Sequence, residues 1–428
     1  MLKYKRFLLN SANFLAGSTV SSGATFASVL ILASILTLAD FGEFSLVLAI
    51  VAVIEGLCCS QSWQAVVKFY PRKNSDFKEC YLRIVRASLS TDVLNAFLGI
   101  VVLVVVLLNS SWFGISDPQA LAAYGIVIPF RMIGTWQGVA RAEEKLKYIN
   151  AQLLVVGMGK LGLALYVTQK PEMDIVFILL GFAFFEIVGS LLLVILTVGI
   201  VNKNCREWLF TKISNQHEGH ELADIKRFIT VNHFNVTTVL SIRNVDEVIV
   251  GKIISLEAVG VYKLIKLFAA ILSKLIEPMY IVIYPEINKI LFEKGKGEVL
   301  FFLKKITFIS FAGALFFVLV SVGFGGLVLD EFSDGSVQNA YYALQIYVAG
   351  VAINMLFFYA HPLSISLRLE KYVLKINIVT GIVYLVCLYA LSTYVGVLGV
   401  ALSNFLYNVA SAFLRLLPSL KKLRIEGE

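Results

Sequence analysis

The sequence predicts an all-α integral membrane protein with twelve transmembrane helices in two six-helix lobes. Three observations predict this fold class: a very apolar composition, a regular series of apolar segments, and connections whose charge alternates. The mean hydropathy is +0.81 over 428 residues, and 58% of the residues are hydrophobic. Because a hydrocarbon core of about 30 Å takes about 20 apolar residues per helix, a chain this apolar crosses a membrane many times.

Twelve segments are apolar for long enough to span a bilayer. They lie, in chain order, at residues 11–37, 42–60, 84–108, 119–140, 149–168, 174–200, 228–254, 257–284, 303–328, 338–362, 373–392 and 394–417. Each is expected to be helical, because backbone polar groups inside lipid must be satisfied within the segment.

The connections between these spans are alternately basic and nearly free of basic residues. Most of the 37 Lys and Arg residues fall in one set, whereas the opposite set has only Lys170 and Lys252 beside several carboxylates. Basic residues near helix ends resist translocation. We therefore expect both termini and the basic connections in the cytoplasm, facing anionic lipid headgroups. The net charge of +8 then needs no nucleic-acid partner.

A weak internal repeat predicts the division into lobes. The string from Leu38 to Leu46, LADFGEFSL, and the string from Leu256 to Leu264, LEAVGVYKL, each place a Gly before an aromatic residue where an outer turn enters a span. The spans that follow end near Tyr-Pro pairs. Equivalent positions in two six-helix halves indicate duplication. The predicted lobes are residues 1–200 and 228–428, joined by a cytoplasmic linker at 201–227.

Span eight carries three lysines on one helical face. At 100° per residue, Lys263, Lys266 and Lys274 lie within an arc of about 80°, and they rise about 16 Å along the helix. Charges at bilayer depth are costly and usually face a wet cavity or a partner. We interpret the stripe as a path for an anion. The alternative is that Lys263 and Lys274 snorkel to the interfaces while Lys266 pairs with a neighbouring carboxylate.

Two further cations lie within the spans of the first half. Arg131 follows Pro129 in span four, where proline is expected to kink the helix, and Lys160 lies in span five. Either residue could line the same anion path. A structural ion pair of Arg131 with Glu186 or Glu55 is an equally good interpretation.

Span seven ends with Arg243, Asp246 and Glu247. A local salt bridge is the simpler account, since Arg243 reaches Asp246 at i+3 and Glu247 at i+4. The alternative is that Asp246 or Glu247, together with Glu186 and Glu55, belongs to a gate or to a binding site for a coupling ion, H⁺ or Na⁺. No other cofactor, no metal site and no catalytic residue is predicted.

These features together resemble the polysaccharide transporter family, in its branch of Wzx-type O-antigen or repeat-unit flippases. The resemblance rests on the Gly-x-aromatic turns at Gly42 and Gly260, the acidic end of span seven and a proline that closes span eight. It implies two lobes in a V around a central cationic lumen. It also implies an undecaprenyl-diphosphate-linked glycan as cargo, flipped across the bacterial inner membrane for lipopolysaccharide biosynthesis, with polymerase and chain-length proteins as pathway partners.

Two other classes of protein remain open from the sequence. A multidrug or cation antiporter of the same multidrug/oligosaccharidyl-lipid/polysaccharide superfamily would share the topology. Its lumen should be acidic or apolar, whereas the intramembrane cations here are expected to outnumber the buried carboxylates, which favours an anionic cargo. A membrane-embedded polymerase or glycosyltransferase needs acid and base groups on outer loops. The longest outer connections, 109–118 and 329–337, are short and contain no histidine.

Overall fold

The computed structural model describes residues 2–70, 77–170, 172–204, 218–293, 295–333 and 339–425, with some side chains in these ranges left undescribed. The described chain is helical throughout, with no strand. Its helices are α1 Leu2–Ile35, α2 Leu38–Cys58, α3 Trp63–Lys68, α4 Phe77–Leu108, α5 Pro118–Gly125, α6 Ile128–Arg131, α7 Gly134–Ala142, α8 Leu146–Thr168, α9 Ile175–Asn204, α10 Glu218–Ile253, α11 Leu256–Glu293, α12 Lys296–Ser333, α13 Ala340–Leu356, α14 Ala360–Ser366, α15 Glu370–Val395 and α16 Val397–Ile425.

A helix or a broken helix lies at each of the twelve predicted spans, which confirms the all-α membrane architecture. Nine helical segments of the described chain are long and apolar enough to cross a membrane, so the chain is a multi-pass membrane protein. The charged helices α10 and α11 are not among these nine, and neither is the broken segment α5 to α7. The count of twelve spans therefore stays a prediction.

The chain forms two compact units. Unit 1 comprises residues 1–37 and 46–245, and unit 2 comprises residues 38–45 and 246–428. Both ends of the predicted linker are helical. Residues 201–204 continue α9, and residues 218–227 begin α10. Residues 205–217 lie outside the described chain. The predicted lobe boundaries at 200 and 228 stay a prediction.

Helix α8 is central to the packing of unit 1, where it lies against both α1 and α9. Glycine permits the close approach to α1, because a Cβ atom at Gly157 would lie 2.6 Å from the carbonyl oxygen of Ser21. The hydroxyl of Ser21 also donates to the carbonyl of Leu153. Small residues allow helix backbones to approach closely inside membranes, as the glycine-rich sequence of this span predicts.

The helix at span four is broken on both sides of Arg131. Asp117 caps α5 by accepting from the backbone N–H of Gln119, a common N-cap arrangement. After α5, the four-residue helix α6 contains Pro129 and ends at Arg131, and α7 begins again at Gly134. Proline lacks the N–H that a continuous helix requires, so the predicted kink is confirmed as a complete interruption.

Unit 2 is organised around α13 and α16, which pack against each other, with α15 on α16 and α12 on α13. Asn354 of α13 donates to Asn408 of α16 at 3.0 Å. The hydroxyl of Ser364, on α14, lies 2.9 Å from that of Ser419, on α16. Span ten is interrupted between α13 and α14. Broken helices thus occur in spans four and ten, which are equivalent positions of the two halves.

The first turns of α2 and α11 cross at the two glycines of the sequence repeat. Both turns belong to unit 2. A Cβ atom at Gly42 would lie 1.8 Å from the carbonyl oxygen of Leu256, and one at Gly260 would lie 2.8 Å from the carbonyl oxygen of Leu38. Gly42 and Gly260 therefore let the two repeated strings contact each other through their backbones.

Candidate functional site

Unit 1 contains a buried group of four charged side chains, Glu55, Arg131, Lys160 and Glu186, here called the N-terminal cluster. Nη1 of Arg131 lies 2.8 Å from Oε2 of Glu55, and its Nε lies 3.6 Å from Oε2 of Glu186. Lys160 donates to the other oxygen of Glu186. Glu186 thus contacts both cations, and the cluster holds two positive and two negative charges.

Four different helical segments supply these residues. Glu55 is on α2, Arg131 ends α6, Lys160 is on α8 and Glu186 is on α9. The interruption after Pro129 ends the helix at Arg131. For Arg131 the sequence left two interpretations open, an anion path or an ion pair. The structure shows the ion pair, and with both predicted partners at once.

Unit 2 contains a second group, Asp246, Glu247, Lys263 and Lys266, here called the C-terminal cluster. Nζ of Lys266 lies 3.0 Å from Oδ1 of Asp246 and 2.8 Å from Oε1 of Glu247. Nζ of Lys263 lies 3.2 Å from Oε2 of Glu247. The cluster joins the end of α10 to the first three turns of α11, and it also holds two positive and two negative charges.

Tyrosines complete the surroundings of Asp246, and they were not predicted from the sequence. The hydroxyl of Tyr262 donates to Oδ2 of Asp246 at 2.6 Å, and that of Tyr384, on α15, lies 3.5 Å from the same oxygen. Tyr262 lies four residues before Lys266, on the same face of α11, so its position next to the lysines was readable from spacing. Tyr384 is more than a hundred residues away and gives no such signal.

The two clusters share an arrangement in which the cations are more accessible than their carboxylates. In the C-terminal cluster both lysine side chains are 19% exposed, whereas Asp246 is 4% and Glu247 is 1% exposed. In the N-terminal cluster Arg131 is 31% exposed, against 20% for Glu55 and 11% for Glu186. Lys160, at 7%, is the exception among the cations, since its side chain is less exposed than either glutamate of its cluster. The accessible part of the C-terminal cluster is therefore mainly positive, and the most accessible residue of the N-terminal cluster is a cation.

The predicted surplus of intramembrane cations is not found among the described side chains. Lys263, Lys266, Arg131 and Lys160 all pair with carboxylates, because ionic groups removed from water need opposite charges nearby. The alternative account of Lys266, pairing with a neighbouring carboxylate, is the one that the structure shows. Lys274 and Arg243 lie in helices, but their side chains are outside the described part of the chain.

Replacing each glutamate of the N-terminal cluster by glutamine should show which of the two contributes more to stability. Glu186→Gln leaves Lys160 without its carboxylate partner, and breaking a buried pair in this way typically costs about 3–5 kcal/mol. Glu55→Gln is the matched control, because Arg131 keeps Glu186. We expect a much lower thermal unfolding midpoint for purified Glu186→Gln than for Glu55→Gln. A larger loss in Glu55→Gln would contradict this description of the cluster.

The long apolar helices define the class of protein, a multi-pass membrane protein. No protein-family model and no curated protein matches the sequence. The fold assignment comes from solved structures, at identities of 10–14%.

Three of those structures illustrate the likeness. A multidrug resistance MATE family transporter in an inward-facing conformation is 14% identical, has a TM-score of 0.69 and matches 95% of both chains. The lipid II flippase MurJ, in an inward closed conformation, is 10% identical with a TM-score of 0.66, over 96% of this chain and 89% of MurJ. A MOP superfamily transporter from Pyrococcus furiosus, described as having a binding pocket of reverse polarity, is 13% identical with a TM-score of 0.54, over 98% of this chain and 95% of that one.

These likenesses show that the chain has the helical fold of these MATE and MurJ structures. They include a drug transporter as well as a flippase. The resemblance to the Wzx-type branch is finer than the fold, and it stays a prediction.

Proposed function

We propose that the protein is a flippase that moves polyprenyl-diphosphate-linked oligosaccharide repeat units across the bacterial inner membrane by alternating access. Its product would be used for O-antigen or another surface polysaccharide. The transporter fold supports the general class. MurJ, which has this fold, is a flippase of lipid II.

The observation that supports an anionic cargo is the accessibility of cations in both clusters. Lys263, Lys266 and Arg131 are the most exposed members of their clusters. An approaching diphosphate would meet positive charge first. Lysine suits this role because its ammonium is a compact charge on a flexible stem, and arginine because it can bind phosphate oxygens in a bidentate manner.

In this mechanism the cluster carboxylates hold the cations when no cargo is bound. A diphosphate would replace Asp246 and Glu247 as a partner of Lys263 and Lys266, and the carboxylates would reclaim the lysines after release. Lys274 would extend this path within unit 2, and Arg131, Lys160 and Arg243 are candidates for contacting the cargo in unit 1. The freed carboxylates Asp246, Glu247, Glu186 and Glu55 would be candidates for H⁺ or Na⁺ coupling.

Complementation of a bacterial strain that lacks its repeat-unit flippase tests this proposal. We expect restored surface polysaccharide and disappearance of the lipid-linked intermediate that accumulates in the cytoplasm. The same test should fail with Lys266→Ala/Lys274→Ala, because the variant lacks two charges of the path. Membrane levels of each variant should be measured by immunoblot.

The complementation should be repeated in strains that make different repeat units, because a single strain tests a single sugar specificity. If the well-expressed protein restores polysaccharide in none of these strains but confers resistance to cationic drugs, the flippase proposal is wrong. The protein would then be a drug antiporter. Restored export by the double alanine variant would remove the lysines of α11 from the cargo path.

A further inference from the structure

Asp92, on α4, is a buried carboxylate that lies outside both charged clusters. Asp92 is 5% exposed, and the predicted span 84–108 contains no other acidic residue. In the part of the chain that the structure describes, its partners are neutral: the hydroxyl of Ser62 donates to Oδ1, and the backbone N–H of Thr135 donates to Oδ2 at 2.7 Å. No lysine or arginine forms an ion pair with it there.

The two donors come from two separate helix interruptions. Ser62 lies between α2 and α3, next to Gln61, whose φ is +49°, and Thr135 lies in the first turn of α7, after the interruption that follows Arg131. Close packing joins the same segments, because a Cβ atom at Gly134 would lie 2.2 Å from the hydroxyl oxygen of Ser62. The Asp92 carboxylate therefore accepts hydrogen bonds from both interruptions, the one between α2 and α3 and the one before α7.

A second observation shows that the site has unused hydrogen-bonding capacity. The side chain of Thr135 is fully buried and faces the Asp92 carboxylate, yet among the described residues its hydroxyl forms no hydrogen bond of normal geometry. Buried polar atoms are nearly always satisfied. A protonated Asp92 would supply one O–H donor, and the Thr135 hydroxyl oxygen is a buried acceptor beside it.

The charged and titratable groups on the surrounding elements have other partners or are neutral. Arg131 binds the N-terminal cluster, Arg141 on α7 lies over the ring of Trp63, and Lys68 on α3 lies over Phe228. The set also includes Glu55 on α2 and Cys59, which follows α2. His233 completes it, with its Nδ1 3.4 Å from the carbonyl oxygen of Cys59. None of these groups neutralises Asp92 through an ion pair.

The far ends of the same two helices are joined independently of Asp92. The hydroxyl of Tyr70, after α3, donates to Oε1 of Glu143, after α7, at 2.6 Å. Burial, and then this carboxylate, raise the pKa of the Tyr70 hydroxyl above its usual value, so Tyr70 remains a donor at all physiological pH values. Asp92 and Glu143 are thus the two carboxylates that hold α3 and α7 together, and Asp92 is the buried one.

We propose that Asp92 binds and releases a proton, and that its charge state sets the geometry of the two helix interruptions. The ionised carboxylate holds Ser62 and the Thr135 N–H by charge-assisted hydrogen bonds, which are the stronger kind. A proton taken from water cancels the charge, weakens both bonds, and turns the new O–H toward the Thr135 hydroxyl. This inference rests on the proposed function only where it makes H⁺ the coupling ion.

Infrared difference spectra of the full-length protein in nanodiscs, between acidic and alkaline buffer, test the proposal directly. We expect the C=O band of a protonated carboxylic acid shielded from water, and its loss in Asp92→Asn. Asp117→Asn, in the α5 cap, is the matched control and should retain the band. An identical band in Asp92→Asn would overturn the proposal.

A second variant keeps the test valid if Asp92→Asn does not fold. Thr135→Val removes the hydroxyl but keeps the side-chain shape and the backbone donor, so the band should persist at a shifted position. An unshifted band would overturn the role of Thr135 as acceptor. Since the spectra need no cargo, a failed complementation with an intact Asp92 band would count against the flippase proposal alone.

Discussion

Replacing Lys266 alone should destabilise the protein, whereas replacing it together with one of its carboxylates should not. Lys266→Gln leaves Asp246 and Glu247 buried beside a single lysine, and loss of one partner from a buried pair costs about 3–5 kcal/mol. Lys266→Gln/Asp246→Asn keeps the cluster neutral, with one lysine and one glutamate. We expect a low thermal midpoint for the single variant and a nearly normal midpoint for the double variant.

Export measured in the same two variants distinguishes a structural ion pair from a cargo contact. If Lys266 meets the diphosphate, the folded double variant should still fail to export polysaccharide. Lys252→Gln, an exposed lysine at the end of α10, is the matched control and should export normally. Normal export by the double variant would show that Lys266 has only a structural role.

Gly42→Ala should have the second large effect, because its methyl group has no space. The added Cβ atom would lie 1.8 Å from the carbonyl oxygen of Leu256, a backbone atom that can move only with its helix. In Gly260→Ala the added Cβ atom would also be too close to a backbone atom, at 2.8 Å from the carbonyl oxygen of Leu38, but this clash is less severe. Overpacking commonly costs about 1–3 kcal/mol, and we expect Gly42→Ala to exceed Gly260→Ala.

Gly323→Ala provides the control for this series. Gly323 is on α12, and a Cβ atom added there would have no neighbouring atom within 4 Å, so alanine should gain up to about 1 kcal/mol from helix propensity. Thermal midpoints should follow the order Gly323→Ala, Gly260→Ala, Gly42→Ala, from highest to lowest. Equal midpoints in all three variants would show that the crossing of α2 and α11 is loose.

Much of the fold could be predicted, because the bilayer imposes a simple rule on the sequence. Apolar length indicated the position of the helices, and Pro129 indicated the interruption next to Arg131. The repeat at Gly42 and Gly260 was readable as a pattern. Its physical reason, a backbone contact between the two copies, required the structure, since neither string indicates that it touches the other.

The candidate site was predicted less completely, because pairing depends on distances across the fold. Both predicted partners of Arg131 are correct, but the sequence offered Glu55 and Glu186 as alternatives and the structure uses both. Counting charges along spans overestimated the free positive charge, since Asp246 and Glu247 reach the lysines of α11 across the short turn after α10. Asp92 had a usable signal as the one carboxylate of its span, but it was not among the predicted site residues.

The neutrality of the two clusters has a consequence for how voltage acts on the protein. A membrane potential of 100 mV exerts about 2.3 kcal/mol on each elementary charge that crosses it. Each cluster contains two cations and two carboxylates, so its displacement during a conformational change transfers no net charge. The two clusters would then add no voltage dependence to the return of the empty carrier.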